Sequence, residues 1–339
     1  MRVTVESNSP CGTGLVRAIG LAGRLAAYGS IPMPRCGAVR ETARLALLLV
    51  AVACAGSPSA APAGPLPAVA GVVPGGRELV ARSAGLTLSE REPVLREWFA
   101  RGAYPRRVLP TVPLHLDAEL GGRVRRATVF VGADYFGLGS DHDWCRMPMS
   151  PPLCQHILDA LDCVPPTRRL VDAIWRSAAL RPEPATFSPH EHDICAFALF
   201  LAHHERIEAQ LGSRPPDTLV AGIKKDLVAS PLVAAHPGRV VIYGWHRPDG
   251  RPIQPLSKVH TFPHVDYSHG LRLVARRMLL DGEWTTVDAV LADPELAGLL
   301  SDEGVLVPRL LPPGWPSLPS GDQRQRSTVS SNSLSVGSW

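Results

Sequence analysis

Lysine is nearly absent from this chain of 339 residues: Lys224, Lys225 and Lys258 stand against 32 arginines. Aromatic residues make up only 6% and charged residues 19%, while 45% are hydrophobic, which excludes a disordered or collagen-like chain and leaves material for a buried core. The formal charge of +4 is unevenly placed, because residues 1–53 hold six arginines and two glutamates and the remaining 29 basic and 29 acidic residues cancel. Without a basic surface, counterion-release binding has no global electrostatic support, and no nucleic-acid partner is expected. No Gly-rich loop leads a strand into a helix, so the dinucleotide and P-loop fingerprints are missing, as are His-Glu-x-x-His and Gly-x-Ser-x-Gly.

The apolar stretch over residues 45–53, Leu-Ala-Leu-Leu-Leu-Val-Ala-Val-Ala, falls well short of the roughly 20 residues that cross a bilayer as a helix. It follows Arg35, Arg40 and Arg44 and precedes small residues. A basic segment, a short apolar segment and small side chains before a cut are what a secretion signal requires. Cys54 comes directly after Val52 and Ala53, and the run Ala51-Val52-Ala53-Cys54-Ala55-Gly56-Ser57 resembles the lipobox of bacterial lipoproteins, with Ala51 where Leu or Val is usual. That resemblance implies lipidation at Cys54 and a membrane anchor through the lipid. A cut near Ser59 and Ala60 would instead release a soluble protein, and both versions place the chain outside the cytoplasm, in or beyond the cell envelope. Residues 1–32 exceed an ordinary leader, and a start at Met33 would restore normal proportions.

Setting aside Cys11, Cys36 and Cys54 leaves Cys145, Cys154, Cys163 and Cys195, an even number for an oxidising space. Up to two disulfides are expected, with three possible connectivities; reduced, buried thiols are the alternative. Residues 54–77 are an Ala/Pro/Gly-rich tether and 313–339 a disordered tail. Between them, residues 78–312 read as a single α+β domain with an antiparallel or mixed sheet and helices grouped on one side. The patterns predict helices over 89–101, 151–162, a segment opened by Thr167, 192–211, 287–292 and 295–300. They predict strands over 126–136, with 144–149 as its partner, then 218–223, 239–245 and 278–285, the last folded back at Asp281 and Gly282.

Chemistry concentrates in residues 246–269, which carry four of the twelve histidines after an apolar strand. A metal site would draw on His246, His260, His264 and His269 with Asp266, zinc being the natural ion for nitrogen and oxygen ligands in an exported protein. A proton-transfer site would pair His260 or His269 with Asp266, with Lys224 or Lys225 as the positive group for an oxyanion. Ser268 as a nucleophile lacks its elbow motif. Lys224 and Lys225 close the apolar run 219–223, and the alternation of a strand turns one of them inward. Outside this segment, Gly139–Asp143 is expected to be a turn rather than a calcium or acid site, and His190-Glu191-His192-Asp193 resembles the His-x-His element of some zinc peptidases only in type and spacing. His203 and His204 are placed on the wet face of their helix.

The expectation is thus an exported cell-envelope hydrolase with His260, Asp266, His269 and Lys225 as catalytic residues. Zinc is its candidate cofactor and an envelope polymer or small molecule its partner. The alternative is a noncatalytic surface lipoprotein that binds an envelope polymer or a protein through Trp144, Trp175, Trp245, Tyr243 and Tyr267.

Overall fold

The computed structural model describes residues 73–316 and 318, all within one compact unit. The leader over 1–53, Cys54, most of the tether and most of the tail lie outside the described residues. No helix among the described residues is long and apolar enough to cross a membrane.

The described chain opens with α1 (Gly76–Ser83) and α2 (Leu88–Ala100). A capping box starts α2 just before the expected point, with the Thr87 amide donating to Glu90 at 2.8 Å. Two long strands follow, β1 (Pro110–Leu120) and β2 (Arg123–Gly132), paired antiparallel through most of their length. The short hairpin of β3 (Gly137–Gly139) and β4 (Trp144–Arg146) comes next. Pairing of 126–136 with 144–149 is therefore corrected: β1 is the true partner. Pro110 and Pro113 hide it in the sequence and are tolerated because β1 pairs only with β2 and lies at an edge.

Ser150 caps α3 (Pro151–Ala160), β5 (Cys163–Val164) follows, and Thr167 caps α4 (Arg168–Ser177), as its apolar spacing predicts. Beyond α5 (Phe197–Leu211) lie β6 (Lys225–Leu227), α6 (Pro231–Ala235), β7 (Ile242–His246) and β8 (Pro252–Ser257). The chain closes with β9 (His269–Gly270), β10 (Val274–Ala275), β11 (Arg277–Leu280), β12 (Glu283–Thr286) and α7 (Val287–Ala292). The class is α+β, and β11 and β12 fold back at Asp281 and Gly282 as expected.

Strands β12, β11, β2, β10 and β5 form one sheet with β1 added beside β2. Ala127, Val129 and Val131 alternate onto its inner face and pack with Leu170 and Ile174 of α4 and Val290 and Leu291 of α7. The second sheet runs β8-β7-β6-β9, with β6 and β9 parallel. The predicted strand over 218–223 is replaced by irregular chain with one bridge, Leu180 to Val220. Gly222 breaks it by adopting a φ of +81°, where a Cβ would lie 3.0 Å from the His246 carbonyl oxygen.

The four described cysteines are all free thiols, so the disulfide expectation is corrected. Cys145, Cys154 and Cys163 pack in one apolar cluster, where burial drives their thiols upward in pKa and favours the neutral form.

Helix α5 also departs from expectation. It begins at Phe197 rather than residue 192, because Asp193 caps the Cys195 amide at 3.0 Å and the Ile194 carbonyl accepts from Tyr267 at 2.9 Å. His203 and His204, expected on the wet face, are both buried. His204 Nδ1 lies 3.1 Å from the guanidinium of Arg146, itself fully buried and bonded to both Asp134 oxygens at 2.8 and 2.6 Å and to Glu208 at 2.6 Å. Burial first, and Arg146 second, push the His204 imidazole down to about 3. The unfolded chain, titrating near 6.5, takes the proton first, so this stability is present above roughly pH 6.5 and is lost as pH falls toward 3. Between neutrality and pH 5 His204 is expected to cost about 2 kcal/mol of unfolding free energy. Urea titrations at pH 7 and pH 5 measure this; a His204→Gln chain with the parent's full pH difference would contradict it.

Candidate metal centre

Three strand-borne anchors hold the histidine segment. The His260 carbonyl accepts from the Val240 amide at 2.9 Å, the Lys225 amide donates to the Ser268 carbonyl at 2.7 Å, and Lys225 pairs with His269 across the parallel β6–β9 step. That step is close: a Cβ on Gly270 would lie 2.6 Å from the Tyr135 ring and 2.8 Å from the Lys224 Cβ, so only glycine lets β9 approach. Polar and apolar residues of the segment then separate. Phe262, Pro263 and Val265 turn toward α2 and line a groove of about 240 Å³ with Leu88 and Pro152.

His260, His264, Asp266 and His269 converge, with one ligand atom from each lying within 4.8 Å of the others. Asp266 is the hub. Its Oδ1 accepts from the Ser268 amide at 2.7 Å and from the Ser268 hydroxyl, an Asx-type turn that turns Oδ2 toward the imidazoles. His264 Nε2 lies 3.4 Å and His269 Nε2 3.5 Å from that Oδ2, and the His260 and His264 rings stack at 4.0 Å. His269 Nε2 is buried and makes no hydrogen bond, an orphaned position that a bound cation would satisfy.

The protonation states suit a cation. Burial first, with Lys225, His264 and His260 adding to it against the pull of Asp266, pushes His269 down to about 4. Burial and His264 lower His260 as well. Burial would raise the Asp266 carboxyl, but His269, Lys225 and the bonds from His264 and Ser268 outweigh it and hold it well below the usual carboxylate range. Neutral imidazoles and one ionised carboxylate are the forms that ligate divalent ions. Asp266 and His269 are buried whereas His260 and His264 are half-exposed, so the cluster opens to solvent on the side of the stacked pair. The His/Asp donor set could hold a metal ion.

Lys225 Nζ stands 3.7 Å from Asp266 Oδ2 and 5.5 Å above the Trp245 ring. Lys224 is the inward-facing lysine: fully buried, it donates to the Tyr267 carbonyl at 2.5 Å, and burial lowers its pKa to about 7.

His246 is corrected out of the ligand set. The left-handed backbone of Trp245, at a φ of +56°, breaks the alternation of β7 beside a register shift against β8. His246 Nε2 is engaged instead by Asp172 at 2.9 Å, and its ring stacks on Trp175. Ser268 is tied to Asp266, its amide and hydroxyl both donating to Oδ1. His190 to Asp193 form an exposed turn outside the cluster. Asp141 and Asp143 hold the Arg106 amide and the start of α1, confirming Gly139–Asp143 as a turn. Trp144, Trp245, Tyr243 and Tyr267, offered as stacking platforms for a polymer, are buried. What the residue patterns missed is the support: Ser268 beneath Asp266, readable from the Asp-x-Ser spacing, and Trp245 beneath Lys225, for which no local signal existed.

No protein-family model matches the chain, and comparison with curated proteins and with solved structures likewise gives no match.

Proposed function

We propose that this chain is a metal-dependent hydrolase of the cell envelope, exported by the leader and anchored through Cys54, with His264, Asp266 and His269 holding zinc and His260 beside them at the open side. The observation that carries the reading is the single carboxylate oxygen of Asp266, faced by two imidazole nitrogens at 3.4 and 3.5 Å, one of them buried and without a hydrogen bond. A hydrogen bond to Asp266 accounts for His264, whereas the buried His269 nitrogen at 3.5 Å has no hydrogen-bond partner, and a cation between it and the carboxylate would supply one. When bound, zinc supplies a Lewis acid and a water of lowered pKa. Around it, Ser268 fixes the carboxylate, Lys225 sets a positive charge beside it, and the half-exposed His260 and His264 admit a small polar substrate. His260 is the imidazole placed to move a proton at the open side.

Metal analysis of the full purified chain after zinc loading and desalting tests this. One zinc per chain is expected, falling to near zero in a His264→Ala, His269→Ala double variant whose circular dichroism matches the parent. A parent chain without tightly bound divalent metal would overturn the reading.

A further inference from the structure

We infer that this centre takes a dianionic tetrahedral oxyanion, the phosphoryl group of a phosphate ester, held between the bound ion and Lys225. The inference rests on the metal reading above and adds the substrate class. Its basis is a charge count. The cluster offers one carboxylate, Asp266, and imidazoles, which ligate a metal as uncharged donors. A divalent ion there leaves one net positive charge, and Lys225, whose Nζ lies 3.7 Å from the same Asp266 oxygen that faces the ligand nitrogens, makes two.

Two cations sharing one carboxylate oxygen repel each other, and the arrangement is satisfied only when an anion of about two charges lies between them. Lys225 is also held there by construction. It is one of only three lysines in the chain; its amide is pinned to Ser268, its strand is registered on His269, and its ammonium rests over a Trp245 ring whose backbone occupies the left-handed region. Backbone strain at a bulky residue is retained where surrounding structure overrides it, and such positions gather at ligand sites. The opening beside His260 and His264 gives an oxyanion access to both charges. In the hydrolase reading, a water oxygen bonds to phosphorus, the ester P–O bond breaks, and the proton from water ends on the departing alkoxide.

The test uses the full zinc-loaded chain and inorganic phosphate, followed by tryptophan fluorescence and by calorimetry, with sulfate and acetate in parallel. Saturable phosphate binding at one site per zinc is expected, with acetate at least about tenfold weaker. Lys225→Met should keep one zinc per chain and lose at least about tenfold in phosphate affinity, whereas Lys225→Arg, which keeps the charge and the fold contacts, should retain most of it. Phosphate affinity unchanged in Lys225→Met would overturn the inference and leave Lys225 as the counter-ion of Asp266 alone. So would acetate binding as tightly as phosphate, or a zinc-loaded chain indifferent to phosphate. Absence of zinc from the parent chain is a separate result, read by metal analysis, and overturns the hydrolase reading itself.

Discussion

Replacing Asp266 by asparagine is expected to lower zinc affinity by at least about 100-fold, because the substitution removes the only charged donor and leaves its shape. The orienting contact can be measured apart from the ligand. Ser268→Ala keeps every donor atom but frees Oδ1 of Asp266, and the usual penalty for losing such a partner is about 10- to 100-fold in metal affinity. Competition titrations against a chromogenic chelator would rank the three chains as parent, Ser268→Ala, Asp266→Asn. An Asp266→Asn chain that binds zinc as tightly as the parent would show that the cluster is a hydrogen-bonded loop and nothing more.

The second large effect lies away from the metal. Arg146→Met removes a fully buried guanidinium that both oxygens of Asp134 and one of Glu208 depend on. Burial alone would raise the Asp134 carboxyl, yet Arg146 foremost, with Arg272 and the Tyr135 amide, holds it at about 2, so loss of Arg146 leaves a buried negative charge with the Tyr135 amide at 2.7 Å and the longer 3.3 Å contact to Arg214. Breaking a buried pair in this way costs about 3–5 kcal/mol. The double change Arg146→Met, Asp134→Asn should recover much of that loss, since it removes the uncompensated charge together with its partner. Urea denaturation of the three chains decides it; an Arg146→Met chain within about 1 kcal/mol of the parent would refute the role assigned to this network.

Local signals carried much of the architecture into the sequence. Caps did well: Ser150 and Thr167 accept from the amides three residues on, and Thr286 begins α7 at the predicted residue. Period-two patterns located β2, but not its partner, because pairing is a long-range choice and β1 carries prolines that an edge position excuses. Burial of His203 and His204 escaped notice for a related reason. The exposed face of α5 is carried by Glu205, Arg206, Ala209 and Gln210, with His203 and His204 on the opposite side beside Phe200 and Ile207, and the Arg146 network that makes the second imidazole tolerable is assembled from β4 and α5, 58 residues apart.

At the site, His260, His264, Asp266 and His269 were legible because they lie within ten residues of one another in the polar segment that follows an apolar strand. His246 looked equivalent by composition and differs only because Trp245 turns the backbone of β7 at that point. The pair of lysines was conspicuous by rarity, but which one faced the imidazoles depended on the register between β6 and β9, and that register is visible only in three dimensions.

The parallel β6–β9 step also sets an order of assembly. All four donor atoms come from a span so short that its closure costs little chain entropy, so a chelating loop can form before the rest of the molecule is in place. Lys225 joins it only after the 43 residues between it and His269, including all of β7 and β8, have folded back to seat β9 beside β6. On the proposed metal reading, cation capture is a local and early event, the second positive charge arrives with the finished fold, and the chain would hold metal before it could hold an oxyanion.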